Sequence, residues 1–255
     1  MNIGEFYACM EKALPQKLCA EWDNDGIAVC PDVTHDVSRV LICLDVTMET
    51  VAYALAGHFD VIVSHHPLLF HPIRSLCDGD GMVSRKLLRL ARAGVSAISF
   101  HTRLDAVEGG VNDVLAKLLG LQEVTPFGPD GEIPCGRIGT LAEPMSAVAF
   151  AKLCGEVLHA TPCLTGEGMV RRVALLGGSG GDYIDAARLA GADIFLTGEV
   201  SYHRALDSAE RGLPIVAVGH YHSEFPVTKR LCELVSLVDA DIVTEIFPTQ
   251  NIIAI

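Results

Sequence analysis

The chain has 255 residues, 50% hydrophobic and 20% charged, enough to bury the core of one large domain or two smaller ones. That composition excludes a disordered or fibrous chain, and no stretch reaches the ~18 consecutive apolar residues of a membrane-spanning helix. The net charge of −13 argues against nucleic acid as a partner, because displacing phosphate counterions needs a basic stripe. The opening residues, Met1 to Glu5, lack the basic and apolar regions of a secretory leader. The nine cysteines are scattered, odd in number and without a Cys-x-x-Cys pair, so buried thiols in a cytoplasmic protein are expected rather than disulfides or a cysteine zinc site.

In chain order, Trp22-Asp23-Asn24-Asp25-Gly26 reads as a turn before a strand at Ile27-Ala28-Val29. Arg39 to Leu44 is a buried-strand run, Met48 to Gly57 is helical, and Asp60 to Ser64 is a second strand. A helix from Ser84 to Ala93, closed by Gly94, leads to a third strand from Val95 to Phe100. The order then repeats. Arg172 to Leu176 is a strand, and Asp182 to Ala190 is helical with Ile184, Ala187 and Leu189 on its apolar side. Asp193 to Thr197 is a strand, Ala205 to Arg211 a helix closed by Gly212, and Pro214 to Val218 a strand. Val40 to Ser64 and Val173 to Thr197 span the same 24 positions. This is an internal duplication. Strand–helix–strand order implies parallel pairing with right-handed crossovers. The expected fold is therefore α/β: two similar three-layer lobes with mostly parallel sheets. Their approximate limits are 1–125 and 126–255, and the C-terminal strands are able to return to the first lobe.

The third strand of each half ends alike. His101-Thr102-Arg103-Leu104-Asp105 follows one and His220-Tyr221-His222-Ser223-Glu224 the other. Each is His-x-x-x-carboxylate beyond the C-terminal end of a parallel strand, the edge where open α/β sheets bind ligands. About one such pair is expected by chance in a chain of this composition; three occur. His203…Asp207 falls inside an expected helix and reads as a solvent-facing pair. The other two occupy equivalent places in the duplication, which chance does not explain. A further cluster, Ser64-His65-His66-Pro67, closes the first lobe's second strand. Pro67 keeps His66 out of helix, and extended neighbours point apart, which suits two ligands serving two different ions. His65, His66, Asp105, His220 and Glu224 together offer imidazole and carboxylate donors suited to Zn, Fe, Mn, Co or Ni. Five side chains fill two sites only if a carboxylate bridges and water completes the shells, the arrangement of a hydrolytic two-metal centre. His101 is open to three readings, a sixth ligand, a partner of the ligands or the general acid/base, of which the last two are favoured. Gly177-Gly178-Ser179-Gly180-Gly181 follows a strand and opens a helix, so it either cradles a phosphate or simply makes a close turn.

These blocks, in this order, resemble the dinuclear-metal-centre hexamer family, labelled type 2 GTP cyclohydrolase I and its homologues. The resemblance rests on Trp22 to Gly26, Ser64 to Pro67, His101 to Ala106 with Gly109 to Asp113, Gly177 to Gly180, Thr197-Gly198-Glu199 with Tyr202-His203, and Gly219-His220-Tyr221 with Ser223-Glu224. It implies metal ligands at His65, His66, Asp105, His220 and Glu224, two divalent ions per subunit, and a toroidal homohexamer. Arg103, Glu199, Ser201 and Arg204 depart from the family's usual Asn, Asp, Lys and Asp. Arg103 either attracts an anionic substrate or points away. The implied function is a metal-dependent hydrolase acting on a nucleotide or small ester through a metal-bridging hydroxide. The alternative is a non-catalytic metal-binding scaffold or regulatory interaction protein. No membrane partner is expected.

Overall fold

The computed structural model describes residues 1–249. The chain folds as two compact units, Met1–Leu104 together with the segment that starts at Thr228, and Asp105–Val227. The first stretch forms α1 (Ile3–Ala13), β1 (Gly26–Val29), β2 (Arg39–Cys43), α2 (Met48–Ala56), β3 (Val61–Ser64), α3 (Met82–Ala93), β4 (Ser96–Ser99) and α4 (Thr102–Ala106). Next come α5 (Val111–Leu118), β5 (Gln122–Phe127), β6 (Gly136–Ser146), α6 (Ala147–Leu158), β7 (Cys163–Thr165) and β8 (Met169–Ser179). They are followed by α7 (Ile184–Leu189), β9 (Ile194–Glu199), α8 (Tyr202–Glu210), β10 (Ile215–Ala217) and α9 (His220–Glu224). The chain closes with α10 (Val227–Val238) and β11 (Val243–Phe247).

The first unit holds a five-stranded sheet in the order β1-β4-β3-β2-β11. Its four strands from β4 to β11 run parallel, and β1 lies antiparallel at one edge. Strands buried on both faces read as unbroken apolar runs, and β2 and β3 do. Leu41, Cys43, Ile62 and Ala97 pack one face against Val51 and Ala54 of α2 and Leu87 and Leu90 of α3. Val40, Ile42, Val63 and Ile98, on the other face by the pleat, are also buried.

The second unit holds a six-stranded sheet in the order β5-β6-β8-β9-β10-β7. Its centre, β8-β9-β10, is parallel, while β5, β6 and β7 pair antiparallel. Parallel order therefore belongs to the duplicated strands, and the flanks of this sheet depart from it. Alternation along β8 sends Val173 and Leu175 to one core with Phe150 and Cys154 of α6. Ala174 and Leu176 enter another core with Ile184 and Ala187 of α7 and Ala205 of α8.

The duplication extends to single hydrogen bonds. Asp60 Oδ2 accepts from the amides of Ser38 and Arg39 at the start of β2, both at 2.8 Å. Asp193 Oδ2, at the equivalent position, accepts from the amides of Arg171 (2.9 Å) and Arg172 (2.7 Å) in β8. Each aspartate thus pins the incoming strand to the next one. Among the described residues no helix is long and apolar enough to cross a membrane.

Candidate metal centre

In the first unit, parallel pairing of β3 with β4 sets Ser64 opposite Ser99, and the Phe100 amide donates to the Ser64 carbonyl at 3.0 Å. Residues leaving the two strands therefore emerge at one sheet edge. His65 and His66 leave β3, and His101 leaves β4. Their rings lie close together, with centroids 4.9 Å apart for His65–His66, 5.2 Å for His65–His101 and 5.6 Å for His66–His101. The expectation that His65 and His66 would point apart fails here. β3 ends at Ser64 and the backbone bends through both histidines, so strand alternation no longer governs their side chains. The three imidazoles present ring nitrogens within 4.8 Å of one another, a group able to hold a metal ion.

Each of these rings is oriented through Nδ1. His65 Nδ1 lies 3.0 Å from the Phe100 carbonyl oxygen, His66 Nδ1 2.8 Å from Asp45 Oδ1, and His101 Nδ1 2.9 Å from Asp23 Oδ1. A carbonyl or carboxylate can only accept, so Nδ1 carries the proton and Nε2 the lone pair, the tautomer a metal ligand or general base needs. Asp45 and Asp23, like Glu199 below, are orienting residues that sequence reasoning missed. Asp45 lies two positions past β2 and Asp23 in the turn before β1, and no local spacing relates either one to a histidine.

Asp23 also accepts from the Thr102 hydroxyl (2.7 Å) and amide (3.1 Å). Burial pushes its carboxyl upward, but the bonds from His101 and Thr102 outweigh that and hold it at about 2. Asp25, in the same turn, takes Arg103 through Nε at 2.7 Å and Nη2 at 2.9 Å. Arg103 is fully buried, so its guanidinium points into the fold rather than into solvent. Cys19, Asp23 and Asp25 also form a group with metal-ligand spacing. Its carboxylates are already engaged by Arg103, Thr102 and His101. Burial, then Asp25, pushes the Cys19 thiol up to about 11, so without a metal it stays protonated at neutral pH.

The second unit carries Asp105, His220 and Glu224. His220 and Glu224 stand one turn apart on α9, with Nε2 and Oε2 separated by 3.0 Å. His220 Nδ1 lies 3.3 Å from Glu199 Oε2 at the end of β9. With Nδ1 donating to Glu199, the Nε2 lone pair faces the Glu224 carboxylate, and only a proton or a cation between them relieves that repulsion. The glycines of β8 and β9 make room for α9. A Cβ at Gly178, whose φ is +64°, would overlap the Glu224 carboxylate. One at Gly198 would fall 2.5 Å from Ser223 Oγ and 3.0 Å from the His220 Cα. Three amides of this run are also occupied: Gly177 donates to Asn112 Oδ1 at 2.8 Å, Gly178 to Ser223 Oγ at 2.9 Å and Gly180 to the Glu199 carbonyl at 3.2 Å. Close packing of α9, rather than a phosphate cradle, accounts for Gly177, Gly178 and Gly198. The buried Asn112 also donates from Nδ2 to the Asp105 carbonyl at 3.2 Å, tying the Asp105 turn to the strand on which Glu224 rests. The third His-x-x-x-acid pair, His203…Asp207, is exposed on α8.

The Duf34/NIF3 (NGG1p interacting factor 3) family matches residues 1–251 of this chain. The chain belongs to the Duf34/NIF3 family. A protein of Nostoc sp. named GTP cyclohydrolase 1 type 2 homolog is 35% identical over 214 residues, covering 82% of this chain and 81% of the relative. A Clostridium perfringens protein of the same name is 30% identical over 251 residues, covering 95% and 94%. Among solved structures, a hypothetical protein of Staphylococcus aureus superposes with a TM-score of 0.89 at 25% identity, covering 100% of this chain and 99% of that one. This NIF3-family chain thus has the two-lobed α/β fold its duplication implied, with histidine and carboxylate groups able to hold a metal ion.

Proposed function

We propose that this protein is a metal-dependent hydrolase acting on a nucleotide or another small ester. In this reading His65, His66, Asp105, His220 and Glu224 hold two divalent ions. The observation that carries it is the common orientation of the clustered imidazoles: His65, His66 and His101 each turn Nδ1 to an oxygen acceptor. That pattern prepares Nε2 for a cation, and a mixed nitrogen and oxygen donor set suits Zn, Fe, Mn, Co or Ni. When bound, such ions supply Lewis acidity, polarising the bond to be cleaved and acidifying water.

The chain's own residues do the rest. Asp23, ionised above about pH 2, fixes the His101 ring and stabilises its protonated form. His101 Nε2 is then the site that takes a proton from the attacking water and returns it to the leaving group. Asp45 keeps His66 in its ligating tautomer. The relatives' names fit a nucleotide substrate. We also propose a homohexamer, as the family resemblance implies, in the cytoplasm, where nine free thiols are stable.

The test is a panel of nucleotides and phosphate esters offered to metal-loaded and chelator-treated protein. Turnover should require the metals, and His101→Ala should lower kcat by about 10²–10⁴ at unchanged metal content. No turnover of any panel member, or turnover that survives chelation, would overturn the reading. Light scattering tests the hexamer: a 27.2 kDa particle at micromolar concentration would refute it.

A further inference from the structure

Trp22 is 66% exposed and Phe70 47% exposed, an unusual placement for rings whose burial contributes strongly to stability. Their centroids are 6.1 Å apart with planes tilted by 50°, so neither ring covers the other's face. Both border the histidine cluster. Trp22 stands 6.1 Å from the His101 ring and Phe70 6.2 Å, each near edge-on. Nor is the pair loosely placed. Asn24 Nδ2 donates to the Leu69 carbonyl at 2.5 Å, binding the turn that carries Trp22 to the segment that carries Phe70. Asp23, adjacent to Trp22, fastens the same turn to His101 and Thr102. Two apolar aromatic faces are therefore held in water, at fixed positions, beside the imidazole assigned the proton transfer.

We propose that Trp22 and Phe70 form a stacking platform for a planar heteroaromatic ring, the base of a nucleotide, whose attached sugar and ester extend toward His101. Stacking on aromatic side chains tolerates different bases and needs no hydrogen-bond code. The platform would therefore select for the presence of a base more than for its identity. The inference rests on the hydrolase reading only for the position of the reacting group.

Trp22 is the chain's sole tryptophan, so its emission reports the platform without any turnover. Guanosine 5′-monophosphate and ribose 5-phosphate are titrated into the full-length protein, both metal-loaded and chelator-treated. The nucleotide should quench Trp22 saturably and the sugar phosphate should not. Phe70→Ala should weaken the nucleotide roughly ten-fold without changing metal content or Tm. By calorimetry Trp22→Phe should bind more tightly than Trp22→Ala. Absence of saturable quenching by the nucleotide, equal quenching by ribose 5-phosphate, or wild-type affinity in Trp22→Ala would each overturn the platform. Saturable quenching in metal-loaded protein that turns over no panel member would leave the platform standing and sink the hydrolase reading; metal-dependent turnover without quenching would do the reverse.

Discussion

Arg103 shows what a single buried charge does in this molecule. Its guanidinium donates to Asp25 through two nitrogens and to the Leu14 carbonyl at 3.0 Å, and it lies over the Phe100 ring at 5.0 Å. The sequence leaves its direction open, because nothing local pairs residue 103 with residue 25. Arg103→Ala strands the buried Asp25 carboxylate and should cost about 3–5 kcal/mol of stability; Arg103→Lys, which cannot make the two-pronged contact, should also destabilise. Urea denaturation measures both, and an unchanged midpoint would contradict the assignment. Asp23 gives a pH dependence of defined sign. Burial opposes its charge, but His101 and Thr102 hold its carboxyl at about 2, below the ordinary 3.8. Its ionised form therefore stabilises the fold above the ordinary value, and that contribution is lost as pH falls toward the folded one. Between about pH 4 and pH 2 the wild type should lose on the order of 2 kcal/mol that Asp23→Asn does not lose. Parallel acid limbs in the two proteins would show that the aspartate's hydrogen bonds do not favour its charged form.

At the scale of elements, α9 positions two candidate ligands and can do so only because β8 and β9 offer bare backbone. A Cβ at Gly198 would fall 2.6 Å from the Gly178 carbonyl oxygen and 3.0 Å from the His220 Cα. Both contacts are backbone, so a side-chain shift cannot relieve them. Gly198→Ala should cost about 1–3 kcal/mol as overpacking and displace His220 and Glu224, lowering metal content together with Tm. Unchanged metal content in a destabilised protein would separate the packing of α9 from its ligand role. The sequence shows these glycines as a motif but not their purpose, since a run after a strand reads equally as a turn or an anion cradle. Only the engaged amides of Gly177 and Gly178 decide between the two. The duplicated strands β2, β3, β8 and β9 are legible because burial on both faces leaves continuous apolar runs. The antiparallel β5 and β6 are not: Pro126, Pro144 and several charged residues interrupt their pattern, and cross-strand pairing rather than local propensity forms them.

For the whole molecule, the equal spacing of the two halves is the signature that carries furthest, because it reappears as the matched Asp60 and Asp193 contacts. It also distinguishes the pairs following β4 and β10 from His203…Asp207, which sequence spacing alone treats as their equal. The histidines are legible because strand ends are ligand positions. Their orienting partners Asp23, Asp45 and Glu199 are not, because each comes from a different strand's end or entry and only the folded sheet brings it to its ring. The central claim is the proposed one, that this chain would hold two divalent ions and that Glu224 would contribute to holding both. Losing Glu224 should then release both. Metal content per subunit after matched dialysis tests this directly, on wild type, Glu224→Ala and the surface control His203→Ala. The account expects two metals, none and two. Two metals retained by Glu224→Ala, or metals lost from His203→Ala, would contradict it.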